Sequence, residues 1–187
     1  MTRPATSFLH ELSWRGPLQQ ATAQDALEKH LASPGRVAYC GFDPTKDSLT
    51  IGHLLPTMLL RRWQDAGHKP VVLIGGGTGL IGDPSGKDAE RTLLSRDQIE
   101  ANVAGQRRIF ERLIDMDPGR PNAAVIVNNA DWLTGLGFIE VLRDVGKHFS
   151  VNAMIQRDSV RDRLNNREQG ISYTEFSYML LQAFDFY

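Results

Sequence analysis

Three short runs of mostly apolar residues, at 36–42, 70–74 and 123–127, punctuate a chain whose other apolar positions recur at helical spacing. Runs of this length, bounded by turn residues, predict strands buried in a parallel sheet. Between the first two, Leu54, Leu55, Met58, Leu59 and Trp63 fall on one face of a helix spanning about 51–66, which Gly67 stops. Ser95-Arg-Asp-Gln98 has the form of a capping box opening a helix to about residue 115. Thr22-Ala-Gln-Asp25 has the same form before a short helix at 26–31, closed by Ser33-Pro34-Gly35. Strands alternating with helices define an α/β fold with a parallel sheet. From residue 131 the alternation stops: 138–145, 151–164 and 174–187 all read as helices, a helical insertion set on the sheet.

Composition changes this picture little. The chain has 187 residues, 41% hydrophobic and 23% charged, enough for one good core. A net charge of −1 provides no global attraction to nucleic acid or membrane, so any such contact must be a local basic patch. The one cysteine, Cys40, has no partner for an internal disulfide and reads as a small buried residue of the first strand. No apolar run is long enough to span a bilayer and residues 1–16 lack a signal-peptide core, so the expected location is cytoplasmic. His10, His30, His68 and His148 have no partners at ligand spacing, and no metal site is expected.

The candidate chemistry concentrates at three places. The first strand runs into Asp43-Pro-Thr, and Gly52-His53 opens the helix that follows. A helix start offers free N–H groups and a positive dipole end, and glycine lets an anion approach closely. The second strand runs into a glycine-rich loop at 75–87. Gly77, Gly79 and Gly82 fit the dinucleotide pattern G-x-G-x-x-G, but Asp83-Pro-Ser-Gly follows where that pattern needs a helix. The Walker A pattern fails too, with Ile81 at its first glycine and Asp88 at its hydroxyl. The loop therefore predicts a ligand-facing backbone, in which Asp83 accepts from an ammonium or hydroxyl. Lys87 and Arg91 either reach a phosphate or form a solvated face. At the third place, Tyr178, Gln182 and Asp185 make one helical stripe of types that a merely solvated face rarely carries. An NAD-binding oxidoreductase domain and a non-catalytic binding module are the competing readings.

Several blocks occur together in a fixed order: C-G-F-D-P-T at 40–45, I-G-H-L at 51–54, and G-x-T-G-L-I-G-D-P-S-G-K-x-x-E-R at 76–91. N-N-x-D-W at 128–132, D-V-G-K-H-F-S-V-N-x-M at 144–154 and T-E-F-S-Y-M-L-L-Q-A-x-D-F at 174–186 follow. From about residue 8 onward the chain resembles the N-terminal half of the bacterial tyrosyl-tRNA synthetases. The resemblance implies a class I, Rossmann-like catalytic fold, its second half incomplete, interrupted by a helical connective insertion. It implies an N-terminal helical segment at 1–35, the first half of the catalytic domain at 36–130, the insertion at 131–172, and the start of the second half at 173–187.

The resemblance further implies activation of L-tyrosine with ATP and Mg²⁺, transfer to tRNA(Tyr), and a homodimer formed through the insertion. Residue by residue, Tyr39 and Asp185 would bracket the substrate hydroxyl, with Asn129 at the same end. Tyr178, Gln182 and Asp83 would hold the ammonium. Gly41, Asp43, Thr50, Gly52 and His53 would line the adenylate, Thr45 the phosphates, while Lys87 and Arg91 assist pyrophosphate departure. Thr50 stands where the family signature begins with histidine, which removes one cationic contact to phosphate. The family's lysine-rich loop and anticodon-binding region are absent from the 187 residues, so this piece alone is expected to activate tyrosine poorly. Arg157, Arg161, Arg163 and Arg167 of the insertion read either as phosphate contacts or as a solvated face balanced by Asp158 and Asp162.

Overall fold

The computed structural model describes residues 8–18, 20–82, 93–166 and 170–187. Two compact units interleave along the chain: Met1–Gly41, Ser48–Leu73 and Gln106–Val127 make the first, and Phe42–Asp47, Ile74–Gly105 and Asn128–Tyr187 the second. Strands β1 (Val37–Phe42), β2 (Lys69–Ile74) and β3 (Val125–Asn128) form one parallel sheet in that order. Each strand belongs to the first unit except its last residue, which is counted with the second. The fold is the α/β arrangement expected from the alternation of runs and the Rossmann-like one that the resemblance implies. Central β2 is the most buried strand, with Val72 and Ile74 fully inaccessible.

In the first unit, helices α1 (Phe8–Arg15), α2 (Gln24–Leu31) and α3 (Ile51–Asp65), with the end of α4 (Arg96–Leu113), enclose the core. Leu9, Leu12, Leu60, Trp63, Val72, Leu73, Phe110 and Ile114 make up that core. Gly67 ends α3 with φ +90°, the left-handed conformation that glycine adopts without strain. Gln64 is fully buried on α3 and every bonding position it uses is matched. Its amide donates to the carbonyls of Asp115 (2.6 Å) and Asn122 (3.1 Å), and its oxygen accepts from the Asp115 N–H at 3.0 Å. The capping box at Ser95 forms, with Ser95 Oγ accepting from the Gln98 N–H and Gln98 Oε1 from the Ser95 N–H. That at Thr22 does not. Helix α2 starts at Gln24 after Ala23, with no side-chain cap, which leaves Asp25 inside the first turn where its charge complements the helix dipole.

His68 closes this core rather than facing a ligand. Its ring lies 4.4 Å from that of Trp63, and Nδ1 accepts from the Arg36 N–H at 3.4 Å. Burial, then the charges of Arg36 and His30, hold its pKa below the ordinary 6.5. The unfolded chain therefore binds the proton more readily, and the stability that neutral His68 contributes is present above pH 6.5 and lost as pH falls. The urea midpoint is expected to drop between pH 7.5 and 5.5, and to drop less in His68→Gln. Equal drops in both proteins would contradict this role.

The second unit is helical beyond β3: α5 (Ala130–Leu133), α6 (Phe138–Glu140), α7 (Val151–Ile155), α8 (Asp158–Asn166) and α9 (Tyr173–Phe184). The helix expected at 138–145 starts as α, widens to a π-turn at Val141–Val145 and tightens to 3₁₀ at Gly146–His148. The helix expected at 151–164 breaks after Ile155, and α8 restarts at Asp158, an acidic residue suited to a first turn. Arg163 is no phosphate contact. It is 5% exposed and paired with the equally buried Glu175 at 2.8 Å. Arg161 is tied to Asp158 at 2.5 Å.

Candidate active site

The segments that leave the C-terminal ends of the three strands all belong to the second unit, and parallel sheets gather their ligand-binding groups at such ends. Asp43 follows β1. Its Oδ1 accepts from the Thr78 hydroxyl at 3.0 Å and its Oδ2 from the Tyr178 hydroxyl at 2.9 Å. The loop bearing it is held against α4: Asn102 Nδ2 donates to the Pro44 carbonyl at 2.8 Å. A Cβ on Gly105 would strike the Asp47 carbonyl, so only glycine permits that approach.

The glycines after β2 are explained by what lies against them. A Cβ on Gly75 would overlap the Asp43 carboxylate and the Thr78 hydroxyl, and one on Gly76 the Asn128 amide. Asn128 Oδ1 accepts from the Gly76 N–H at 3.1 Å, and Asn129 Oδ1 from the Gly77 N–H at 2.8 Å. Residues Thr78–Leu80 form a single 3₁₀ turn rather than a long helix. With Gly76 and Gly77 already donating to asparagines, the G-x-G-x-x-G match at 77–82 does not present the pyrophosphate cradle of a dinucleotide site.

Asn129, fully buried after β3, is the hub. Its Nδ2 donates to Thr78 Oγ1 and to Asp185 Oδ2, both at 3.1 Å. Asp185 caps the end of α9, and its other oxygen accepts from the Trp132 indole N–H at 3.1 Å. Burial raises the Asp185 pKa above 3.8, while the bonds from Asn129 and Trp132 act in the opposite direction. Each carboxylate oxygen retains capacity for a further donor, since each carries two lone pairs. An unbroken path of hydrogen bonds thus runs Tyr178–Asp43–Thr78–Asn129–Asp185–Trp132. Two carboxylates anchored this way suit a ligand with an ammonium or hydroxyl to donate.

Of the expected site residues, Asp43, Asn129, Tyr178 and Asp185 are joined in this path. Gln182 is exposed on α9, and Thr45 is exposed in the loop after Asp43. In the first unit, Tyr39 is half-buried and Gly41 exposed on β1, and burial pushes the thiol of their neighbour Cys40 up. Thr50 caps α3, with its backbone N–H donating to His53 Nδ1 at 3.0 Å and its hydroxyl 2.8 Å from the same nitrogen. Gly52 is exposed beside them, and a Cβ there would meet only Thr50 Oγ1 at 3.6 Å. Asp83, Lys87 and Arg91 lie outside the described residues. Thr78, Asn128 and Trp132 were not expected. The N-N-x-D-W block held a signal for Asn128, since an amide at a strand end needs hydrogen-bond partners, while nothing in it marked Trp132. Among the described residues, no three His, Cys, Asp or Glu side chains converge to hold a metal ion.

The chain is 54% identical to the tyrosine–tRNA ligase of Novosphingobium aromaticivorans, a match covering 100% of this chain and 45% of that protein. To the Staphylococcus haemolyticus ligase it is 52% identical, covering 97% and 42%. The chain thus spans less than half the length of these relatives. The truncated mitochondrial tyrosyl-tRNA synthetase of Aspergillus nidulans superposes with TM-score 0.80 at 30% identity, covering 96% of this chain and 53% of that one. The tyrosyl-tRNA synthetase of Archaeoglobus fulgidus, complexed with L-tyrosine, shares the fold with TM-score 0.65 at 17% identity. The family model described as tRNA synthetases class I (W and Y) matches residues 34–187. On that match, and on a parallel sheet whose strand ends carry the hydrogen-bonded path just traced, this chain belongs to the class I tRNA synthetases of the tryptophan and tyrosine group.

Proposed function

We propose that this chain forms the amino-acid pocket and part of the nucleotide site of a tyrosine–tRNA ligase. The observation that carries the reading is Asp185, a half-buried carboxylate oriented by Asn129 and Trp132 so that its remaining capacity accepts a hydroxyl donor. Tyr39 and Asp185 would receive the substrate phenol, and Tyr178, Gln182 and Asp83 the α-ammonium. Gly41, Asp43, Thr50, Gly52 and His53 would line the adenylate, with Thr45 beside the phosphates and Lys87 and Arg91 on the departing pyrophosphate. The closely matched relatives named tyrosine–tRNA ligase support tyrosine over tryptophan.

The chemistry needs no side-chain nucleophile. An oxygen of the tyrosine carboxylate attacks the α-phosphorus of ATP, the α–β bridging bond breaks, and pyrophosphate leaves. A terminal hydroxyl of tRNA(Tyr) then attacks the adenylate carbonyl and AMP departs. The protein's part is to align the reactants and to stabilise developing charge. Mg²⁺ would neutralise charge on the nucleotide phosphates.

Phe138, Ile139 and Tyr173 expose apolar surface at and beside the insertion, which supports a homodimer through this region. No described helix is long and apolar enough to cross a membrane. A thermal-shift series tests the reading. Saturating L-tyrosine or a non-hydrolysable tyrosyl-adenylate analogue should raise the melting temperature, since a ligand at 100 times its Kd adds about 2.7 kcal/mol. NADH should leave it unchanged. Stabilisation by NADH and not by tyrosine would overturn the assignment.

A further inference from the structure

Helix α9 carries Tyr178 and is capped by Asp185, yet its apolar side chains are only partly covered. Its two buried residues are Glu175 and Tyr178, three apart and so on one face. Both are polar and both are bonded: Tyr178 to Asp43, and Glu175 to Arg163 of α8 at 2.8 Å. Ser172 Oγ accepts from the Glu175 N–H at 3.2 Å, so the same residue also closes the first turn of the helix. Close apolar packing holds a helix by shape, whereas a helix whose buried residues are held by directional contacts shifts when one of those contacts is removed. We infer that the Arg163–Glu175 pair is a positioning element for the amino-acid pocket. It sets the axial position and rotation of α9, and through them the distances from Tyr178 to Asp43 and from Asp185 to Asn129 and Trp132.

From Glu175 to Asp185 the helix rises roughly 15 Å, at about 1.5 Å per residue, so the pair acts at a distance and not on the ligand. A buried ion pair is weak ground for stability, since apolar replacements of similar volume often serve as well. Its directional geometry is what an apolar pair does not reproduce.

The test has one arm that uses no ligand. The indole N–H of Trp132 donates to Asp185, while that of Trp63 donates to the Lys69 carbonyl in the first unit. Hydrogen exchange of the two indoles is followed by NMR in the parent chain, in Glu175→Gln, and in the double variant Arg163→Met with Glu175→Leu. The double variant guards against the single substitution unfolding the chain. The Trp132 indole is expected to exchange about tenfold faster in either variant, with Trp63 unchanged, because opening is local. Tyrosine affinity should fall about tenfold or more, as small displacements of binding groups do, and phenylalanine affinity by less, since phenylalanine shares the ammonium contact at Tyr178 but brings no hydroxyl to Asp185. Parent-like Trp132 exchange, or equal acceleration of both indoles, would overturn the inference and leave a purely structural pair. The affinity arm rests on the proposed tyrosine site. A parent chain that binds no tyrosine refutes that reading alone, and the exchange arm still decides this one.

Discussion

Replacing Asp185 with asparagine is expected to lower the preference for tyrosine over phenylalanine by about 100-fold, with phenylalanine binding little changed. A hydrogen bond to a charged acceptor contributes about 1.5–3 kcal/mol, and each 1.4 kcal/mol is a factor of ten in affinity. The amide loses more than charge. Both oxygens of Asp185 accept, one from Asn129 and one from Trp132, so an NH₂ at either position sets donor against donor. Phenylalanine brings no hydroxyl and gains nothing from the carboxylate. The effect depends on pH as well. Burial raises the Asp185 pKa, so acidification removes the charged acceptor at a higher pH than it would from an exposed aspartate. The tyrosine preference of the native chain should therefore weaken toward acid, while that of Asp185→Asn stays flat. Calorimetric affinities for both amino acids across pH provide the check. A ratio unaltered by the substitution would contradict the role.

Substitution of Asn129 by alanine should damage both folding and binding. The amide oxygen satisfies the Gly77 N–H, and the amide nitrogen bridges Thr78 and Asp185, all at a fully buried position. Leaving one buried group without its partner costs about 1–3 kcal/mol, so a loss of at least about 2 kcal/mol in urea unfolding is expected. Asn129→Asp separates shape from charge. It keeps the acceptor for Gly77 but sets a second carboxylate about 3 Å from Asp185, where two negative charges share a proton and one pKa rises. A carboxyl whose folded pKa is raised contributes stability below its unfolded value, and that contribution is lost as pH rises through the folded value. The aspartate variant should therefore approach the parent's stability in acid and fall away toward pH 8. Urea midpoints at pH 5 and 8 measure it, and a gap that does not change with pH would rule out the close carboxylate pair.

What the sequence made legible was local. Parallel strands followed from apolar runs, and the α9 stripe brought Tyr178 and Asp185 forward because helical spacing is readable within about seven residues. Their partners were not readable in that way. Asp43 lies 135 residues from Tyr178, and Asn129 lies 56 from Asp185. Gln182 shares the stripe but is exposed, since angular position on a helix does not say how far along the axis the covering elements reach. Thr78, between glycines, resembles turn filler, and Trp132 resembles core. Each matters through one polar atom that composition does not distinguish. Arg163 shows the converse: the sequence leaves phosphate contact and solvated face open, and its ion pair with Glu175 across the α8–α9 connection is neither.

A crystal structure of the chain with L-tyrosine tests the central claim most directly. The phenol oxygen should lie within about 2.5–3.0 Å of an Asp185 carboxylate oxygen, the range of a charge-assisted O–H···O bond, with Asn129 and Trp132 still donating to that carboxylate. Tyrosine bound with its hydroxyl away from Asp185 would contradict the account.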